Sequence, residues 1–466
     1  MSFALLLALV GACEPEPAEP PPGPPPQTAP RNLILVTLDT LRADHLGYAG
    51  YFRDTSPALD TLAGVSLVFT DAQSPMGTTL PTHRSLLTGA WPIEHGLLGN
   101  FGNVAPGGSN YGANPAFRSL AEHAKDADYA TAAFVSAAPL KRHTGIDSGF
   151  QVFDEPAGAE RNAGETTARV QAWLAERDPS QPFLLWVHYF DPHYPYAAPE
   201  DFPVRYETDD DHVAWLHDRQ VLKRFPASIP QPDGTVSRVT LDSATLNNDY
   251  DREIRYLDTQ VATLLHSLQQ AGVWNTSALA VTGDHGEGLG QHREWMHGNH
   301  HLEQLAVPLM FHAPGLAPGR VSHPVSVVGT MPTLLELAGS PAWAAPWLSQ
   351  ASVSSLLDAP PEPVFSQRTG DHRPEMKGEA WVIDDGRWRY VQEPDGQDRL
   401  IHREQDPHAL QDRIADPPPE LQALRDALAQ TLAAQRARAA APSASAPAEP
   451  LDPALIEQLR TLGYTQ

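Results

Sequence analysis

Asn32 opens a continuous apolar run, Leu33-Ile34-Leu35-Val36-Thr37-Leu38, which ends at Asp39. A run of this length without polar alternation predicts a strand buried on both faces. Four more segments read the same way: Thr131 to Val135, Phe183 to His188, Ala278 to Thr282 and Pro308 to His312. Between them, apolar residues recur at helical spacing. In Tyr250 to Leu268 the stripe is Ile254, Leu257, Val261, Leu264, Leu265 and Leu268. Ala116 to Lys125, Thr166 to Leu174 and residues 331–338 also read as helices. Strands alternating with helices predict an α/β fold: a doubly wound, mostly parallel sheet flanked by helices.

After Pro360 the texture changes. Ala380 to Ile383 and Trp388 to Val391 flank Asp384-Asp385-Gly386, a hairpin signal. A smaller C-terminal subdomain of antiparallel sheet plus helix is expected over 346–440, with Ala-rich Glu420 to Ala440 as the helix. Residues 441–466 read as a linker and a short terminal helix, Leu451 to Tyr464. At the other end, Ser2 to Val10 is almost wholly apolar but too short to span a bilayer. It fits a signal-peptide core over 1–13, followed by a stiff proline-rich tether over 14–30 and a main domain over 31–345. Val10-Gly11-Ala12-Cys13 resembles the lipobox of bacterial lipoproteins, which implies a lipid anchor on Cys13 and export to the cell envelope. An ordinary signal peptide is the plainer alternative.

Charge narrows the partners. The 466 residues carry 57 acidic and 32 Lys or Arg side chains, a formal net charge of -25. That argues against nucleic acid, whose phosphates need cationic contacts. Cys13 is the single cysteine, so no intrachain disulfide forms.

Three expected strands end in candidate chemistry. Asp39 follows the first. Thr282-Gly283-Asp284-His285-Gly286-Glu287-Gly288 and His188-Tyr189-Phe190-Asp191-Pro192-His193 close two others. Each alone has a plain reading: a strand-end Asp is often a cap, and His188 reads as a packed core residue. In an open α/β sheet, however, the carboxyl ends of the strands form one ligand edge. A fourth feature is Thr79, which precedes Pro81 and a short helix that Gly89 ends. A helix start favours an anion, although a Thr there also serves as a simple N-cap. Asp39, Asp284 and His285 offer oxygen and nitrogen donors to a divalent metal. Such a metal would make the weak Thr79 hydroxyl a competent nucleophile, with histidines assisting the leaving group. The pattern points to cleavage of a charged ester.

Thr79-Leu80-Pro81-Thr82-His83-Arg84-Ser85-Leu86-Leu87-Thr88-Gly89 resembles the sulfatase signature: Cys or Ser, any residue, Pro, any residue, Arg, and a closing Thr-Gly. Pro81, Thr88 and Gly89 match. Thr79 stands where sulfatases carry the Cys or Ser that becomes formylglycine, and His83 where they carry Arg. A Thr in that place resembles other members of the alkaline phosphatase superfamily, such as nucleotide pyrophosphatase/phosphodiesterases and lipoteichoic acid synthases. The resemblance covers Asn32 to Gly339 well and the C-terminal part loosely.

It implies Asp39, Thr79, Asp284 and His285 as ligands of at least one divalent ion, calcium, manganese or zinc. Thr40 replaces the second Asp usual in sulfatases, so the set looks more like a manganese or zinc site. It implies His193 as a substrate contact and His297 as a residue near the leaving group. Asn100, twenty-one residues after Thr79, takes the place of an asparagine that holds a phosphoryl oxygen, and His83 joins the catalytic set by its position. The function implied is a metal-dependent, arylsulfatase-like hydrolase of sulfuric or phosphoric esters with Thr79 as nucleophile. Its substrate would be a small-molecule, glycan or lipid ester. A phosphodiesterase or phosphoryl-headgroup transferase is the alternative within the superfamily, and a non-catalytic binding lipoprotein the alternative outside it.

Overall fold

The strand at Asn32–Leu38 forms as the apolar run predicts, with all seven residues buried. In this computed structural model the described residues are 30–100, 111, 113–221, 223–230, 236–339, 362–369 and 378–439. The leader, the tether and the terminal helix expected from the sequence lie outside them.

In chain order the strands are β1 (Asn32–Leu38), β2 (Leu67–Gln73), β3 (Ala130–Phe134), β4 (Val152–Asp154), β5 (Phe183–Tyr189), β6 (Arg224–Pro230), β7 (Val236–Asp242) and β8 (Ser277–Gly283). They continue with β9 (Gly288–Leu289), β10 (Trp295–Met296), β11 (Ala306–His312), β12 (Gly319–Val321) and β13 (Val325–Ser326). The last four are β14 (Val364–Arg368), β15 (Ala380–Asp384), β16 (Trp388–Gln392) and β17 (Arg399–His402). The helices are α1 (Pro57–Ala63), α2 (Thr79–Thr88), α3 (Pro92–His95), α4 (Leu120–Asp126) and α5 (Ala163–Glu176). The rest are α6 (Asp210–Asp218), α7 (Ser243–Gln270), α8 (Leu302–Leu305), α9 (Thr330–Leu337) and α10 (Glu420–Ala439).

The main sheet has nine strands in the order β12-β2-β11-β8-β1-β5-β3-β4, with β13 also on β2. Strand β1 is central and parallel to both β5 and β8. Only β11 runs against its neighbours. Alternate residues of β1 enter opposite cores, as a pleated strand requires. Leu33 and Leu35 pack with Leu80, Leu86, Leu120 and Leu334 of α2, α4 and α9. Ile34, Val36 and Leu38 pack with Leu59, Val170, Ile254 and Leu257 of α1, α5 and α7. The sheet is therefore covered on both faces, the doubly wound arrangement expected.

Local chemistry sets several element bounds differently from the apolar pattern. The helix expected from Ala116 begins only at Leu120, because Ser119 and Glu122 form a reciprocal capping box there. Asn162 and Asp242 cap α5 and α7, so both begin earlier than their apolar stripes. Several shorter elements, α1, α3, α6, α8, β4, β9, β10, β12 and β13 among them, were not expected, and two longer features were also missed. Strand β2 carries an exposed Thr70 and a half-buried Asp71 after its apolar start, and the β6–β7 pair forms an antiparallel hairpin of its own.

The C-terminal sheet has the order β14-β15-β16-β17, all antiparallel. Leu421, Leu424, Leu428 and Leu432 of α10 pack against its Trp381, Ile383, Trp388 and Tyr390. A buried ionic group fastens this sheet to the main one. Arg389 donates to Asp384 Oδ2 at 3.0 Å, to Gln73 Oε1 at 2.9 Å and to the His300 carbonyl at 2.7 Å. Arg403 spans Asp384 and Asp71. Burial opposes ionisation of Asp384, but Arg403 and Arg389 hold its carboxyl below the usual range. Removing one partner of such a group leaves an uncompensated buried charge. Asp384→Ala is expected to cost about 3–5 kcal/mol of stability, read as a lowered denaturant midpoint; an unchanged midpoint would show that the group carries no net stability.

Candidate active site

The register of the central strands brings the acidic residues together. Leu38 of β1 pairs with Tyr189 of β5 and with Gly283 of β8. Asp39 and Asp284 therefore leave adjacent strands side by side at the carboxyl edge. Both are fully buried, as is His285. Ligand atoms of Asp39, Asp284 and His285 all lie within 4.8 Å of one another.

Each of the three is held in orientation by neutral hydrogen-bond partners. Asp284 Oδ1 accepts from the backbone N–H of His285 at 2.7 Å and of Thr40 at 3.1 Å. Thr40 adopts a left-handed φ of 54° to do so, a conformation that costs a non-glycine residue of order 1 kcal/mol. The Tyr250 hydroxyl holds it there, donating to the Thr40 carbonyl at 2.6 Å and accepting from the Arg42 N–H at 3.0 Å. His285 Nδ1 faces the Gly286 carbonyl at 3.0 Å. A carbonyl only accepts, so Nδ1 carries the proton and Nε2 turns a lone pair inward. Gly286 itself has no room for a side chain: a Cβ would lie 2.1 Å from the Glu303 carbonyl oxygen.

What remains unsatisfied defines the site. Asp39 Oδ1 and Asp284 Oδ2 are buried without a hydrogen-bond donor. His285 Nε2 lies 3.4 Å from Asp284 Oδ2 and 3.8 Å from Asp39 Oδ1. Two buried carboxylate oxygens and a lone pair facing each other fit a cation. Burial, reinforced by Asp284 and Glu287, pushes the Asp39 carboxyl well above its ordinary range. A divalent ion would reverse that balance.

Thr79 is the first residue of α2, and the preceding Thr78 is the N-cap. The Thr79 hydroxyl lies 3.3 Å from His285 Nε2, so it faces the donor group. Asn100 also sits at this helix start. Its Oδ1 accepts from the Leu80 N–H at 2.8 Å, and its Nδ2 is buried without a protein acceptor. Such a donor suits an anionic oxygen. Gly89, with φ of 66°, ends the helix as expected.

His83 lies one turn into α2, between the helix and the sheet. Its Nδ1 is 2.8 Å from the Thr79 carbonyl and 3.5 Å from Asp284 Oδ2. Its Nε2 is 3.0 Å from Thr37 Oγ1, which Trp186 Nε1 also approaches at 3.0 Å. The Thr79 carbonyl only accepts, so Nδ1 carries a proton, and Thr37 Oγ1, which accepts from the indole N–H, has its own proton to offer Nε2 of the neutral ring. Burial also pulls the His83 pKa down. His83 thus braces Thr79 and Asp284 as a neutral group, where an arginine would bring charge.

His193 and His297 close the other side. The His193 ring stacks on Phe190 at 4.2 Å and lies 5.0 Å from the His297 ring, which lies 4.4 Å from His285. His297 Nδ1 is 3.2 Å from Glu287 Oε1. Burial pushes the His193 pKa down to about 3. Every site residue expected from the sequence therefore lies in one cluster. Four residues were missed. His188 is buried as expected but also donates from Nε2 to Asp39 Oδ2 at 3.2 Å, while its Nδ1 accepts from the Ser136 N–H. Thr40, Tyr250 and Glu287 are the others. The one available signal was His188 as the only histidine in an otherwise apolar strand.

Fold and site together define a class: an open α/β protein whose ligand edge holds a buried metal-donor group beside a helix-start hydroxyl. The model of the Sulfatase family matches residues 31–340. The chain is 26% identical to iduronate 2-sulfatase of Homo sapiens over 381 residues, covering 66% of this chain and 69% of that protein. Its fold is similar to a phosphonate monoester hydrolase of Agrobacterium radiobacter, with TM-score 0.65, 19% identity and coverage of 88% and 96% of the two chains. It is also similar to a protein solved with its substrate D-glucosamine-2-N,6-O-disulfate, with TM-score 0.64, 14% identity and coverage of 88% and 98%. The chain belongs to the sulfatase family and is an ester hydrolase. Among the described residues no helix is long and apolar enough to cross a membrane.

The His188–Asp39 contact generates a prediction. Partners that orient a metal ligand typically change metal affinity about 10–100-fold when removed. His188→Ala should weaken divalent-cation binding by that factor in titration calorimetry. Unchanged affinity would reduce His188 to a packing residue.

Proposed function

We propose that this sulfatase-family hydrolase cleaves sulfuric or phosphoric esters with Thr79 as the nucleophile. One observation carries the reading: the Thr79 hydroxyl, 3.3 Å from His285 Nε2, faces the same buried point as the donor-less oxygens of Asp39 and Asp284. An N-cap threonine would instead turn its hydroxyl onto its own helix.

Asp39, Asp284 and His285, with Thr79, would hold a divalent ion. When bound, it supplies positive charge that offsets the two carboxylates and the charge developing on the hydroxyl oxygen. The chain's own groups do the rest. The start of α2 and Asn100 Nδ2 receive the non-bridging oxygens of the ester. Thr79 Oγ1 gives up its proton to solvent and bonds to sulfur or phosphorus as the bond to the alcohol oxygen breaks. His297, backed by Glu287, gives that oxygen its proton, and His193 packs beside it. Water then attacks the Thr79 ester, releases sulfate or phosphate and restores the hydroxyl. His83 keeps the first turn of α2 in register with Asp284 without adding charge.

Retention at the cell envelope is proposed from the apolar Phe3 to Val10 run, Cys13 and the proline tether. A lipid on Cys13 would put the protein in the membrane fraction of a bacterium that processes lipoproteins, and Cys13→Ser should move it out. Equal membrane retention of Cys13→Ser would exclude anchoring through Cys13.

The nucleophile is tested by kinetics on aryl sulfate, phosphate monoester and phosphodiester substrates, with metal content checked. Thr79→Ala should lose about 10³-fold or more in kcat. Thr79→Ser should keep much of the rate. Thr79→Cys should recover little, because His83 replaces the Arg of the signature that accompanies formylglycine formation. Turnover by Thr79→Ala close to that of the unsubstituted enzyme would rule out nucleophilic catalysis by this hydroxyl.

A further inference from the structure

Beyond the end of α10 the sequence carries a further amphipathic stretch. Leu455, Ile456, Leu459 and Leu462 fall at i, i+1, i+4 and i+7, one stripe of a helix. Asp452-Pro453 supplies a helix start and Gly463 a stop. A helix this short is marginal in water by itself, so its stripe needs an apolar surface to pack on. The residues before it, 440–450, are almost all Ala, Ser and Pro and read as a spacer.

Helix α10 offers such a surface. A groove of about 400 Å³ runs where α10 meets β16. Its helical wall is Arg425, Leu428, Ala429, Leu432, Ala433 and Arg436, again a single stripe along one face. Leu428 and Leu432 are buried against the C-terminal sheet, whereas Ala429 and Ala433 are exposed. Small residues at these two positions let a second helix approach closely, with its larger side chains filling the groove.

The two ends of the groove differ in charge. Arg436 stacks over Trp381 at 5.7 Å and makes no ion pair among the described residues. At the other end Arg425 is already matched by Asp398 at 3.5 Å. A helix laid antiparallel to α10 brings Asp452 to the Arg436 end and Arg460 toward the Asp398 end. The chain can make that reversal. Residues 440–452 reach up to roughly 40 Å when extended at about 3.1 Å each. The stripe from Arg425 to Arg436 is only about 16 Å long at the helical rise. A tether this short holds the tail at a millimolar effective concentration, which favours the chain's own tail over that of a second copy.

We propose that residues 453–462 form a helix that packs antiparallel into the α10 groove of the same chain. The docked tail covers the exposed face of the helix that ties the C-terminal sheet to the main domain through Arg438 and Glu94.

Trypsin reports the docking, because Arg460 is the single Lys or Arg after Arg438. The full chain is treated with trypsin under native conditions, and the rate of cleavage after Arg460 is read by mass spectrometry. Ala429→Glu combined with Ala433→Glu puts charge on the exposed stripe and keeps good helix formers there. Leu459→Asp spoils the tail and leaves α10 untouched. Both proteins should be cut about tenfold faster or more, since proteolysis follows the population of the undocked form, while their circular dichroism stays that of the unsubstituted protein. Faster cleavage in Leu459→Asp alone would place the tail elsewhere and overturn the groove. Equal rates in all three proteins would overturn docking altogether. Protection that is lost on dilution of the unsubstituted protein would put the tail on a second copy, which also contradicts the proposal.

Discussion

Two buried carboxylate oxygens without donors face a histidine lone pair, and the rest of the active-site architecture answers to that. In a medium of low dielectric, like charges a few ångströms apart repel strongly. Burial and the neighbouring acids already push the Asp39 carboxyl upward. Such a group persists only if a cation completes it or if the surrounding structure over-determines it. Both conditions shape this site. Neutral donors from His188, Thr40 and the His285 backbone fix the carboxylates from behind. None of them fills the inner face. Even the strained φ of Thr40 serves the arrangement, since it aims one N–H at Asp284 and is locked by Tyr250.

The C-terminal sheet contributes to the site without entering it. Arg389 reaches across to the His300 carbonyl, and Arg368 donates to Asn299 Oδ1 at 3.2 Å. Both contacts fall on the segment between His297 and α8. The segment is short of regular structure, and its geometry is set by these side chains from another layer. Of the buried charges that join the two sheets, Arg389 therefore also holds this segment.

Much of this was legible in the sequence, for a physical reason. A strand buried on both faces must be apolar throughout, so β1, β5 and β8 announce themselves, and polar residues at their ends stand out. That is how Asp39, Asp284 and His285 could be picked before their contacts were known. Strand β2 was missed because its second half turns Thr70 and Asp71 toward solvent and the second sheet. Residues that act through another residue were also missed. His188 meets Asp39 only because Thr37 and His188 pair in register across β1 and β5, and Tyr250 meets Thr40 from a helix more than two hundred residues away in sequence. Neither pairing leaves a local trace. His83 was found by its place in the signature, but its neutral, bracing role depends on Thr37 and Trp186, which only the packing reveals.

The central claim is that the Thr79 oxygen bonds to the sulfur or phosphorus of the substrate. The direct measurement is rapid acid quench during turnover of an activated aryl ester, followed by peptide mass spectrometry. The account predicts the mass of a sulfate or phosphate group on the peptide containing Thr79, appearing early and decaying as substrate is exhausted. A labelled peptide elsewhere in the chain, or full turnover with no label on Thr79 at any time, would contradict it.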